Sequence, residues 1–86
     1  MRYRKKPVVI EAYQWDGTED MLIHLNEWSK GKVFSFKVDL LVSTLEGVLK
    51  ANIGDWIIKG VENEFYPCKS SVFEATYEKV DEAEVT

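Results

Sequence analysis

The stretch Leu40-Leu41-Val42-Ser43-Thr44-Leu45-Glu46-Gly47-Val48-Leu49-Lys50-Ala51-Asn52-Ile53-Gly54-Asp55-Trp56-Ile57-Ile58-Lys59 decides the fold. Two apolar runs, Leu40 to Leu45 and Val48 to Ile53, flank Glu46-Gly47, the pattern of a β-hairpin. In the second arm Leu49, Ala51 and Ile53 alternate with Val48, Lys50 and Asn52, giving one apolar and one mixed face. Gly54-Asp55 makes the next turn, and Trp56-Ile57-Ile58-Lys59 reads as a further strand. Residues 60–64 form a polar turn, Phe65-Tyr66 starts a returning arm, and Pro67 ends it or places it at a sheet edge.

Working outward toward the N-terminus, Val33 to Phe36 predicts a short strand with Phe34 and Phe36 on one face. Before it lies a helix, from about Glu19 to Lys30. Thr18 is its N-cap, Glu19 and Asp20 occupy the first turn, and Met21, Leu22, Leu25 and Trp28 form the buried stripe. Gly31 stops it. Earlier still, Val8 to Trp15 predicts a strand that is apolar on both faces, as in a central or well-covered position. Toward the C-terminus, Ser71 and Glu74 have capping-box spacing. A short helical turn is expected there, then a last strand from Thr76 to Val80. The rival reading is one helix from Val72 to Lys79, since Phe73 and Tyr77 are spaced i,i+4. The expected class is α+β: one main helix packed on a curved, mostly antiparallel sheet or a small partly open barrel, with a short C-terminal helical turn. Residues 1–80 read as one domain and 81–86 as an acidic, flexible tail.

Composition narrows the functional classes. The chain has 86 residues, 45% hydrophobic, 13% aromatic and 30% charged, the balance of an ordered globule. No apolar run is long enough to span a membrane. Its three Trp, four Tyr and four Phe compensate for the small core of a short chain, or it shares burial in a homo-oligomer. The single cysteine rules out an intrachain disulfide framework and a cysteine-rich zinc site, and fits a reducing compartment. The opening Met1 to Pro7 has positive charge but no apolar run after it, so the expectation is a cytoplasmic protein.

The net charge of −4 disfavours a general nucleic-acid binder. That charge is unevenly spread: residues 2–6 carry +4 and the remainder −8. The basic arm of Arg2, Arg4, Lys5 and Lys6 suits a polyanion, or else serves as a solvated lead-in that guards a strand edge. His24 lies on the helix and reads as a boundary residue unless the fold brings a carboxylate or thiol beside it. Lys69 and the helix start at Ser70-Ser71 would lower the Cys68 thiol pKa if the geometry cooperated. A Cys68/His24 hydrolase or transferase therefore stands against the simpler reading of Cys68 as a small core residue. Asp55, Glu62, Glu64 and Glu74 cluster loosely but match no metal-loop spacing, and no cofactor is expected. Gly47, Gly54 and Gly60 are turn glycines and do not form a phosphate-binding pattern. Among the aromatics, Trp28 reads as core, whereas Trp56 and Tyr66 flank the polar loop that begins at Lys59. Trp56, Lys59 and Tyr66 are thus the expected ligand or partner contacts.

Two stretches carry a resemblance. One is Tyr3-Arg4-Lys5-Lys6-Pro7-Val8-Val9-Ile10-Glu11-Ala12 with Gln14-Trp15. The other runs from Gly54-Asp55-Trp56-Ile57-Ile58-Lys59-Gly60-Val61 through Glu64-Phe65-Tyr66-Pro67-Cys68 to Phe73-Glu74 and Thr76-Tyr77. Together they resemble a group of small bacteriophage and prophage proteins. The resemblance implies phage origin and a bacterial cytoplasm, and supplies no catalytic residues. The phrase Gly54-Asp55-Trp56-Ile57-Ile58 is also similar to strands of small β-barrel RNA-binding modules of the PUA and ASCH kind. The leading expectation is a non-enzymatic phage accessory protein that binds a host protein or a small ligand, in counter-defence or host regulation. The alternatives are a PUA/ASCH-like nucleic-acid-binding module that uses the basic arm, and a minor virion component.

Overall fold

A computed structural model describes residues 1–4 and 7–81. The element order is β1 (Glu11–Gln14), α1 (Glu19–Trp28), β2 (Val33–Phe36), β3 (Asp39–Thr44), β4 (Gly47–Ala51), β5 (Trp56–Lys59), β6 (Phe65–Cys68) and α2 (Ser70–Thr76). The class is α+β, as expected. The sheet is not closed into a barrel, however: the six strands form two separate antiparallel sheets, β1-β5-β6 and β2-β3-β4.

The strand expected at Thr76 to Val80 does not form. Helix α2 occupies Ser70–Thr76, and residues 77–80 are irregular. The expected Ser71–Glu74 capping box is also absent. Helix α2 starts two residues earlier, with Lys69 at the N-cap and no side-chain cap bond, and Ser70 Oγ donates to Glu74 at 3.4 Å. The first strand is shorter than expected and lies at an edge, since only Glu11–Gln14 pair with β5. Val8 and Val9 are exposed.

The main helix is built locally. Asp16 accepts from Thr18 N at 2.9 Å and from Thr18 Oγ1 at 2.7 Å, and Thr18 Oγ1 accepts from Met21 N at 3.2 Å. These bonds to Thr18 hold the Asp16 carboxyl below its ordinary pKa. The helix ends at Trp28 rather than Lys30, because Lys30 and Gly31 both turn left-handed, with φ of 55° and 89°. The end is then tied to β2. Ser29, 1% exposed, accepts from Val33 N at 2.8 Å, and Asn26 Nδ2 donates to Val33 O at 2.9 Å.

All layers meet in one core. Leu25 of α1, Val33, Leu40, Val42 and Ala51 of the second sheet, and Ile57 and Phe65 of the first pack with Trp15. Edge-to-face rings extend it: Tyr13 to Trp28 at 4.9 Å and Trp28 to Phe65 at 5.0 Å between centroids. The sheet β1-β5-β6 is covered on both faces. Its register places Ala12, Trp56, Ile58, Tyr66 and Cys68 on the side away from Ile57 and Phe65. There α2 covers them, with Phe73 stacked on Trp56 at 4.2 Å and Tyr77 following Phe73 at 5.0 Å.

Candidate functional site

The three residues expected to form one site are divided by the sheet. Trp56 and Tyr66 share the α2 face, whereas Lys59 projects to the opposite face and pairs with Glu11 at 3.7 Å. Trp56 is engaged in packing by its stack on Phe73, and its indole Nε1 is buried without a hydrogen-bond partner. Burial, followed by the Tyr77 hydroxyl and the Glu64 carboxylate, pushes the Tyr66 pKa up to about 12. Tyr66 is therefore a neutral hydrogen-bonding group near neutral pH.

The structure does not bring Cys68 and His24 together. Cys68 lies on the α2 face, paired with Trp56, while His24 meets Tyr13 edge-on at 4.3 Å on the α1 side. Burial, with Asp55 nearby, raises the thiol pKa, against the lowering expected from Lys69 and the helix start. The helix start has little effect because α2 has only seven residues and the thiol contacts Lys69 O, at 3.6 Å.

The loosely clustered carboxylates serve their own turns. Asp55 accepts from Asn52 N at 2.9 Å, Glu64 from Glu62 N at 2.8 Å, and Glu74 from Ser70. No group of three His, Cys, Asp or Glu suited to a metal ion occurs among the described residues. In the basic arm Arg2 and Arg4 are exposed, while Lys5 and Lys6 lie outside the described residues, as do residues 82–86 of the acidic tail. No helix among the described residues is long and apolar enough to cross a membrane.

A cleft of about 300 Å³ opens where the two sheets meet, between the β3–β4 turn and the start of β6. Thr44, Leu45, Glu46 and Leu49 form one wall, and Glu64, Phe65 and Tyr66 the other. A smaller recess of about 130 Å³ continues it past Lys32 and Ser43. Local bonds fix both walls. Thr44 Oγ1 donates to Gly47 O at 2.7 Å and accepts from Glu46 N at 3.1 Å, so the turn is rigid behind Leu45. Across the cleft, Lys32 Nζ donates to Asn63 O at 3.2 Å and sits 5.6 Å from the Phe65 ring centroid.

Of the expected site residues only Tyr66 lines this cleft. Leu45, Glu46 and Leu49 escape a sequence reading because their hairpin meets β6 only in the folded chain. The turn expected at Glu46-Gly47 lies instead at Leu45-Glu46, which takes Leu45 out of the first arm and leaves it 88% exposed. No family model matches the chain, and no match was found among curated proteins or solved structures.

Proposed function

We propose that the chain is a non-enzymatic binding module whose site is the cleft between the β3–β4 turn and β6. The observation that carries this reading is the lining. Leu45, Leu49 and Phe65 offer apolar surface, and Glu46 and Glu64 bring carboxylates, with Tyr66 completing the wall. A volume of about 300 Å³ lies at the small end of ligand sites. The matching chemistry is a compact apolar body bearing one positive charge, either a free amine or the same group presented by a host protein. The net charge of −4 favours such a ligand.

The separation of Cys68 from His24 and the raised thiol pKa support binding over catalysis. A phage accessory role in a bacterial cytoplasm is the setting that the resemblance of the two chain ends supplies. The nucleic-acid reading draws only on the exposed Arg2 and Arg4 and the residues beside them, and has no closed barrel to build on. The virion reading has no structural feature of its own.

The test is an amide chemical-shift titration with a panel of small aryl and alkyl amines, matched carboxylates and a short oligonucleotide. Amines should move the resonances of Leu45, Leu49 and Tyr66, and Leu45→Ala with Glu46→Gln should weaken the response about tenfold. A cleft silent to every amine, or one that answers the carboxylates equally, would sink the proposal.

A further inference from the structure

Four strand edges end the two sheets, and three are guarded. On β6 the proline Pro67 interrupts the run of donors. On β1 the exposed residues are the polar Glu11 and Gln14. On β2 the outward groups of Val33 are already used. Its N–H donates to Ser29 Oγ, and its carbonyl accepts from Asn26 Nδ2.

The edge of β4 carries none of these devices. Its residues Gly47 to Lys50 are all exposed, and include Val48 at 56% and Leu49 at 42%. Its one charge, Lys50, is paired with Asp39 of the same chain at 3.4 Å, and its neighbours Val48 and Leu49 are apolar. The strand has no proline.

The register says which groups this edge presents. Ser43 N donates to Lys32 O, so Ser43 bonds toward β2, and by antiparallel alternation so does Leu41. Their β4 partners, Val48 and Lys50, therefore turn their N–H and C=O groups outward. Beyond them the edge stops, because Asn52 N is taken by Asp55 and Glu46 N by Thr44.

We propose that β4 pairs with β4 of a second copy, antiparallel and centred on Leu49, to make a six-stranded sheet. A second copy fits because the strand is complementary to itself in this register. Val48 falls opposite Lys50, Gly47 opposite the small Ala51, and Leu49 opposite Leu49. Every outward N–H and C=O of Val48 and Lys50 then finds a partner. Lys50 never faces Lys50 directly, and the Asp39 beside each one screens their diagonal approach. The pairing also covers exposed apolar surface at Val48 and Leu49 that a short chain gains by burying. On the outer face it joins two copies of a surface that carries the row Phe34, Leu41 and Lys50, with Phe34 and Leu41 half-buried and the exposed Val48 diagonal to Leu41.

Sedimentation equilibrium from micromolar to about millimolar protein tests this directly. The expected result is a mass twice the 10.0 kDa of one chain, with slow, concentration-dependent exchange of the Val48 and Lys50 amides. Val48→Pro removes an outward donor without touching a bond to β3 or the cleft lining, and should halve the mass. Leu49→Lys and Leu49→Glu should each be monomeric alone and dimerise when mixed. A monomeric parent chain at millimolar concentration, a dimer unaffected by Val48→Pro, or a mixture that stays monomeric overturns the proposal. A folded Val48→Pro chain that still answers the amine panel keeps this test separate from that of the cleft.

Discussion

Ser29 is the buried hydroxyl on which the junction between helix and sheet rests. It accepts from Val33 N at 2.8 Å and donates to Asn26 O at 3.3 Å, so its two bonds connect the last turn of α1 to the first residue of β2. Ser29→Ala leaves the Val33 amide buried without its acceptor, which costs about 1–3 kcal/mol. Urea unfolding should show that loss as a lower midpoint at unchanged slope, and an unshifted midpoint would remove Ser29 from this role. Sequence spacing identifies Thr18, Leu25 and the hairpin arms because each acts with neighbours a few residues away. It is silent on Ser29, since a serine after a helix looks the same whether it bonds water or the strand that begins at Val33.

Among the elements, α2 is the most weakly held. It has no side-chain cap, no basic residue in its last turn and no fully buried residue. What docks it is the Phe73 ring, parallel to Trp56 within 8°. Phe73→Ala should therefore cost about 1–2 kcal/mol, less than a fully buried phenylalanine. The readout is selective: amide exchange should accelerate through residues 70–77 and Trp fluorescence should shift, while α1 stays protected. Equal acceleration in α1 would show that α2 is not a separate unit. The sequence left this segment between helix and strand because Phe73 and Tyr77 satisfy an i,i+4 helical pair while Thr76 to Val80 alternates. The stack on Trp56 decides it, and that contact is long-range. The same applies to the division into two sheets and to the cleft: both depend on which strands meet, and local pattern does not encode it.

For the molecule as a whole, the two-sided burial of the first sheet gives stability an alkaline limit. The Tyr66 pKa rises from about 10 unfolded to about 12 folded. A raised pKa means that the folded state holds the proton more tightly. The contribution is thus complete below about pH 10 and is lost as pH climbs through about 12. Tyr66→Phe has no such proton, so the difference in unfolding free energy between it and the parent chain should change across that window and stay constant from pH 6 to 9. A difference that is flat throughout would contradict the burial assigned to this hydroxyl. The absorbance titration of the four tyrosines should likewise show one lagging the others.

The nesting of one sheet within the other has a kinetic consequence. Strands β2, β3 and β4 are joined by the two-residue turns Lys37-Val38 and Leu45-Glu46, so their pairing closes almost no chain. Strand β1, by contrast, reaches β5 across everything from Trp15 to Asp55. With about 0.6 kcal/mol for each doubling of loop length, and roughly four doublings between the two cases, the entropic toll of folding concentrates in that single clasp. Tethering or cyclising the chain between the β1 and β5 ends would speed folding far more than any change inside the β2–β4 meander.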